Sequence, residues 1–421
     1  MKLRIAHLSV RTTIVLILGL ASWSASSQTI TGWQASKETV EKLSKSNAGF
    51  NYYEEKVPAY ALPSLLTEKN GKPVTTKEEW MKIRRPELLE LFRTNVYGRV
   101  PATPYTLDYK VIKIDKKALD GAATLKQVEI AIISGGKSLL IQLILFVPNN
   151  IPKPVPAFLL ICNRSSDNID PTRKTKSEFW PVEEIIARGY AVAAFNNADL
   201  DPDNFDDFKN GIHGILDNGV RHDDAWGTLA AWAWGASRCM DYLVSDKDIA
   251  KNKVAIVGHS RGGKTALWTG AEDQRFAMVV ANESGAGGAA IARRRFGETV
   301  ARLNTSFPHW FCTNYKKYSD KEDALPVDTH ELLALIAPRA LYVDCASDDL
   351  WGDPKGCYLA LYNSLPVFRL LGINSELPET VPPLDKQISS GKVAFHIRSG
   401  EHNLKLQDWN FFMDFADKVL K

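Results

Sequence analysis

The sequence predicts an α/β protein, a three-layer sandwich whose mostly parallel central sheet is preceded by an N-terminal hairpin and helix extension. Three observations carry that reading. Six short runs rich in β-branched and small apolar residues recur at 157–162, 191–195, 254–257, 277–281, 340–344 and 394–397, with helix-length segments between them. Alternation of this kind builds a parallel sheet covered by helices on both faces. Ahead of these runs, 127–133 and 137–147 flank Ser134-Gly135-Gly136, the pattern of a β-hairpin. Behind them, Trp409, Phe412, Met413 and Ala416 recur at helical spacing and define a C-terminal helix.

Taken from the start of the chain, Lys2, Arg4 and Arg11 precede an apolar run at 14–21, and Ala25-Ser26-Ser27 follows, the layout of a cleavable export signal over 1–27. The run is much shorter than the roughly 20 residues a bilayer-spanning helix needs. The mature chain is therefore expected to be secreted, to the periplasm or the medium. Residues 28–56 are polar with little apolar period and read as a flexible or surface-wrapping arm. A single domain is expected over 57–421. It opens on Trp80, Ile83, Leu88, Leu89, Leu91 and Phe92, an amphipathic helix that starts near Thr76 and ends before Tyr97-Gly98-Arg99-Val100-Pro101, where glycine and proline break it. The hairpin and the alternating strands follow. Ligands bind sheets of this type at the carboxyl ends of the strands, so chemistry is expected in the residues just after each run.

Composition narrows the function classes. The net charge of +3 falls to zero once the three basic residues of the signal are removed, which gives no footing for a nucleic acid or an anionic membrane. No other apolar stretch is long enough for membrane insertion. The five cysteines, Cys162, Cys239, Cys312, Cys345 and Cys357, are scattered without the close spacing of a zinc site or a redox pair. They are expected to be small buried hydrophobes, with one disulfide open to them in an oxidising compartment. No metal and no organic cofactor is implied, and a monomer is expected.

The strongest local signal is Val254-Ala255-Ile256-Val257-Gly258-His259-Ser260-Arg261-Gly262, a buried-type strand running into G-x-S-x-G and then into the helix-compatible Lys264-Thr265-Ala266-Leu267-Trp268. That setting is the nucleophile elbow of an α/β-hydrolase. Gly258 and Gly262 let the backbone turn sharply, and Ser260 sits at a helix N-terminus whose N–H groups favour a developing oxyanion. A serine hydroxyl is a weak nucleophile and needs a base, which in turn needs a carboxylate to orient it and stabilise its cation. In this fold the histidine comes last in the chain. His402, in Ser399-Gly400-Glu401-His402-Asn403 between the last strand and the C-terminal helix, fits that place, whereas His396 lies inside a strand run and reads as a packed side chain. Two acids compete for the third role. Asp349 follows the strand before the one leading to His402, the usual place, and Glu283 follows the strand directly after the nucleophile helix. Together these residues predict a serine carboxylic ester hydrolase working through an acyl-enzyme.

The segment Gly258-His259-Ser260-Arg261-Gly262-Gly263-Lys264 resembles the motif G-C/H-S-R-x-G-K of the glucuronoyl esterases, carbohydrate esterase family fifteen, in its bacterial type. Further similar segments are Trp232-Ala233-Trp234-Gly235 with Ser237-Arg238 and Asp241-Tyr242, Glu283-Ser284-Gly285-Ala286-Gly287-Gly288, 304–310, Asp349-Leu350-Trp351-Gly352-Asp353-Pro354 and 400–409. They reach from about residue 80 to the C-terminus, a combination far more specific than G-x-S-x-G alone. The resemblance implies that the substrate is the ester joining a (4-O-methyl)glucuronate carboxyl on xylan to a lignin alcohol. It favours Glu283 as the main acid, with Asp349 retained as a second carboxylate near the same imidazole. It implies an oxyanion role for Arg261, through its backbone N–H and its guanidinium, and sugar contacts for Lys264, Glu298 and Trp351. Charged groups suit hydroxyls, and an indole suits the apolar face of a sugar.

The resemblance also has departures. Fungal members carry a cysteine beside the nucleophile that joins a disulfide near the histidine; here His259 stands in its place and Glu401 precedes His402, so that bridge is absent. As an elbow neighbour, His259 is expected to point away from the nucleophile. The segment Cys162-Asn163-Arg164-Ser165-Ser166-Asp167-Asn168 departs from the more glycine-rich version that supplies a pocket wall and a second oxyanion donor. Two rival readings stand beside the esterase of glucuronate. Another carbohydrate esterase, such as an acetyl xylan esterase, would share the triad without needing Lys264 and Glu298 around a uronate. A non-catalytic polysaccharide-binding protein on a hydrolase scaffold would not need the intact Ser260, His402 and acids.

Overall fold

The computed structural model describes residues 30–421; the expected export signal lies outside the described residues. The segment read as an arm lies along the surface of the domain. Thr31–Gly32 pairs in parallel with Thr380–Val381. A helix, α1 (Lys37–Ser46), follows, its N-terminus capped by the Ser36 hydroxyl, which accepts the Thr39 N–H. Beyond it, Tyr52 is buried against Phe296 and Leu350, and Phe50 meets Trp351 edge-on with ring centroids 4.8 Å apart.

Thr76 starts the next helix through a reciprocal capping box with Glu79. A π-type turn at Trp80–Arg84 leads into α2 (Arg85–Asn95), which buries Leu88, Leu89 and Phe92 along the stripe that the sequence spaces for it. Ten strands then build one sheet: β1 (Thr106–Ala118), β2 (Ala123–Ser134), β3 (Lys137–Pro148), β4 (Val155–Cys162), β5 (Ala191–Asn196), β6 (Ile249–His259), β7 (Met278–Asn282), β8 (Ala340–Ala346), β9 (Ile388–Ser390) and β10 (Val393–Arg398). Their order across the sheet is β9-β10-β8-β7-β6-β4-β5-β3-β2-β1. The pairs from β10 through β8, β7, β6 and β4 to β5 are parallel, and β1 to β3 and β9 are antiparallel additions at the two ends.

The β2–β3 hairpin closes where Ser134 pairs with Lys137. Gly135 and Gly136 take φ of 55° and 78° between them, the conformation a two-residue hairpin turn requires. Strand β1 is not among the strands read from the sequence, although Leu107, Tyr109 and Val111 alternate and, across a bulge between Val111 and Lys113, so do Ile112 and Ile114. It is the sheet edge, exposed along most of its length, and Lys110, Lys113, Lys116 and Lys117 are the kind of residues that keep an edge from pairing with another chain.

The parallel strands are apolar at successive positions because both faces are covered. Ala157, Leu159 and Ile161 pack with α2, α3 (Thr228–Ser245), α4 (Arg261–Glu272) and α5 (Pro354–Leu370). Phe158, Leu160 and Cys162 pack on the other face with α6 (Leu406–Val419) and the short helix Val182–Ala187. All five cysteines are free and buried, so the disulfide left open by the sequence is not formed. Among the described residues no helix is long and apolar enough to cross a membrane. The chain leaves β4 toward β5 on one side and returns to β6 on the other, so the sheet has its topological switch point at β4 and β6. A crevice opens at the carboxyl ends of strands at such a point, and these two strands end at Cys162 and His259.

Candidate active site

Strand β6 ends at His259 and α4 begins at Arg261, so the whole reversal falls on Ser260, with φ 57° and ψ −123°. Such a conformation costs an L-residue about 1–3 kcal/mol and persists only where its surroundings impose it. The Ser260 N–H donates to Asn282 O at 2.9 Å, and its carbonyl accepts the N–H groups of Gly263 and Lys264 at 2.9 and 3.1 Å. A Cβ on Gly258 would stand 1.9 Å from Gly262 O, and one on Gly263 2.9 Å from Asn282 O. Close backbone approach therefore demands glycine at these two positions.

His402 lies in the loop between β10 and α6. Its Nδ1 is 2.7 Å from Asp349 Oδ2 and 2.9 Å from Glu283 Oε2. Nδ1 has one hydrogen to give, and the Asp349 contact is the shorter. Glu283 is engaged elsewhere as well, with Arg398 Nη2 2.7 Å from Oε1 and the Asn403 N–H 2.8 Å from Oε2. The sequence reading ranked Glu283 ahead of Asp349; the distances bring both acids to one nitrogen and put Asp349 nearer. Burial pushes the Glu283 carboxyl up to about 7, against the pull of His402. Burial also pulls the His402 imidazole down, but the two carboxylates outweigh it and hold the group above its usual value.

His259 and His402 pack ring to ring, with centroids 4.5 Å apart. The His259 Nδ1 lies 2.5 Å from Asn282 Oδ1 and its Nε2 3.3 Å from Arg164 Nη2. Arg164 can only donate, so Nε2 accepts and Nδ1–H donates to Asn282. Burial, then the charge of His402, push His259 well below 6.5 and keep it neutral. With both nitrogens engaged it is no second base. Its contact with the His402 ring is closer than the sequence reading of an elbow neighbour anticipated.

Arg261 leaves the elbow to pair with Asp203, with its guanidinium 4.9 Å from the Trp310 ring centre. Asp203 Oδ1 also accepts from Trp310 Nε1 at 2.8 Å and lies 3.0 Å from His309 Nε2. Against the upward push of burial, these donors and Arg261 hold the Asp203 carboxyl down at about 2. Arg261 Nε is buried and has no partner, and neither has Asn163 Oδ1 at the end of β4. A preorganised donor left unpaired is available to charge that arrives only during a reaction.

The expected sugar contacts fall into two groups. Glu298 and Trp351 are joined through the backbone, the Glu298 N–H donating to Trp351 O at 2.9 Å. Trp351 is half-buried against Phe50 of the arm. Lys264 is buried, and its ammonium donates to Ser284 O, Ala286 O and Glu298 Oε2, each at 2.7 Å. Three hydrogens meet three acceptors, so Lys264 holds Glu298 and the 284–286 turn and presents no free donor. The expected sugar contact of Lys264 thus falls on an ammonium that these three acceptors already engage. Lys264→Ala should therefore cost stability, about 3–5 kcal/mol for a buried carboxylate left without its cation. Equilibrium denaturation checks this, and an unchanged midpoint would return Lys264 to a role outside the fold's support.

Sequence reasoning missed Asp203, His309 and Arg398. Asp203 lies in the acidic stretch after β5, where the rule of strand carboxyl ends points. Arg398 is the last residue of β10, a charge closing a buried run that is apolar but for His396.

Fold and site together define an α/β-hydrolase of the esterase class. A family model described as glucuronyl esterase, fungi, matches residues 130–372. The carbohydrate esterase MZ0003 of an unknown prokaryotic organism is 40% identical over 399 residues, covering 88% of this chain and 92% of that protein. The 4-O-methyl-glucuronoyl methylesterase of Schizophyllum commune is 28% identical over 331 residues, 74% of each chain. Among solved structures, the glucuronoyl esterase from Solibacter usitatus matches with a TM-score of 0.82 at 40% identity, covering 87% of this chain and 100% of that one. The chain belongs to the glucuronoyl esterase family, carbohydrate esterase family 15, and is an esterase.

Proposed function

We propose that this esterase is exported and cleaves (4-O-methyl)glucuronate esters that join xylan to lignin alcohols, by a serine mechanism. The observation that carries the mechanism is the His402 imidazole, held at Nδ1 by two buried carboxylates and packed against the residue that precedes Ser260 in the elbow. Ser260 Oγ attacks the ester carbonyl while His402 takes its proton. Asp349 and Glu283 stabilise the imidazolium. The oxyanion is met by the Arg261 backbone N–H and by its guanidinium, whose Nε has no other partner. Collapse expels the alcohol with the proton returned from His402, and water then hydrolyses the acyl-enzyme by the same steps. The chemistry uses no metal and no organic cofactor. Glu298 and Trp351 supply a carboxylate and an indole for the hydroxyls and the apolar face of the uronate.

The deciding experiment compares kcat/KM on benzyl glucuronate with benzyl galacturonate, acetylated xylan and nitrophenyl acetate. Preference for the glucuronate ester is expected. Faster cleavage of acetylated xylan would replace this reading with that of an acetyl esterase. Within the same series, Arg261→Ala should lower turnover by about 10²–10³-fold on every ester alike, because its donor acts on charge present only in the transition state. A loss confined to KM for the uronate would move Arg261 from the oxyanion to the sugar.

A further inference from the structure

Arg398 ends β10, four positions before His402, with its side chain only 4% exposed. Its Nη1 donates to Ser399 O at 2.9 Å, and its Nη2 lies 2.8 Å from Glu401 O and 3.0 Å from Asn403 O. The same Nη2 is 2.7 Å from Glu283 Oε1, and Nε is 3.1 Å from Asp408 Oδ2 in the first turn of α6. One rigid fork thus joins the backbone on both sides of His402, one of its two acids and the helix that follows. A lysine, with a single point of charge, has no equivalent set of directions.

We propose that Arg398 is a positioning residue for His402, pinning the loop that carries the imidazole and balancing the carboxylates that surround it. This rests on the reading of His402 as the base. Two carboxylates on one imidazole favour its protonated form, which cannot take a proton from Ser260. A buried cation in the same cluster opposes that bias. The groups that face the imidazole are Asp349 after β8, Glu283 after β7, neutral His259 at the end of β6 with Arg164 beyond it, and the exposed neighbour Glu401. Behind Glu283 stands Arg398. Behind Arg398 stand Asp408, which is 2.9 Å from His396 Nε2, and the buried Asp344 close by. His402 and Glu283 are in contact and titrate together, so loss of the Arg398 charge raises the titration of the pair. Loss of the Asp408 charge lowers it.

The experiment follows the His402 imidazole by NMR in protein labelled with ¹⁵N-histidine, together with the acid limb of kcat/KM on benzyl glucuronate. It compares wild type with Arg398→Gln, Arg398→Lys and Asp408→Asn. Arg398→Gln should raise the imidazole titration and the acid limb by about 1 pH unit or more. Its kcat should fall about 10²-fold as the loop loosens. Arg398→Lys should keep the limb where it is while kcat still falls, which separates charge from fork. Asp408→Asn leaves Arg398 in place and should move the limb the other way; it decides alone if the glutamine variant does not fold. A limb unmoved in Asp408→Asn, or raised in Arg398→Lys, overturns the proposal. Imidazole shifts as described across the variants, with a wild type inactive on every ester, would overturn the serine mechanism and leave the positioning role standing.

Discussion

Ser260→Ala should leave the protein folded and lower turnover on benzyl glucuronate by ~10⁴-fold or more. The substitution removes the attacking oxygen and little else. The turn at φ 57° is imposed by Gly258, Gly263 and the hydrogen bond to Asn282 O, none of which involves the side chain. Alanine carries less bulk into that strained conformation, so the thermal midpoint should hold or rise slightly. Measurement of kcat beside a thermal melt separates loss of chemistry from loss of fold. Near-wild-type turnover in the alanine variant would remove Ser260 from the mechanism.

The second large effect is expected from the acids taken together. One carboxylate is enough to hold the imidazole tautomer and stabilise its cation, and here two lie 2.7 and 2.9 Å from the same nitrogen. Asp349→Asn or Glu283→Gln alone should therefore cost less than the ~10⁴-fold expected when a sole triad acid becomes an amide. The double variant should approach that figure and exceed the product of the single losses, because each acid covers for the other. Glu283→Gln should also cost more stability than Asp349→Asn, since it weakens the buried pair with Arg398. Measuring kcat and denaturation midpoints for the three variants tests this. If Asp349→Asn alone abolished turnover while Glu283→Gln were silent, a single-acid triad would replace the shared arrangement.

Much of this architecture was written locally. A parallel strand buried on both faces must be apolar at successive positions, so β4, β5, β6, β7, β8 and β10 could each be read from their own residues. The elbow could be read because the glycines, the serine and the strand-to-helix change lie within a few positions. His402 could be read because chain order places it between the last strand and the last helix. Strand β1 is passed over although Leu107, Tyr109 and Val111 alternate, because a bulge after Val111 shifts the period and the run is lysine-rich and mostly exposed. The arm offered little apolar period, and the docking of its described part, 30–56, depends on Phe296, Leu350 and Trp351, which come far later in the chain.

The amino-acid sequence by itself determined the sheet, the nucleophile turn, the candidate base and the short list of acids, because each is set by the backbone demands or spacing of neighbouring residues. Only the tertiary structure decided how the side chains are shared. Asp349 and Glu283 follow different strands and look equivalent in sequence, yet one is nearer to His402 and the other is also bound by Arg398, 115 positions away. Lys264 reads as a free cation until three acceptors, 20, 22 and 34 positions on, are seen to take its hydrogens. Arg261 meets Asp203 across 58 positions. A hydrogen bond depends on direction and on competition among partners, and those are fixed only when distant strand ends are brought to one rim of the sheet.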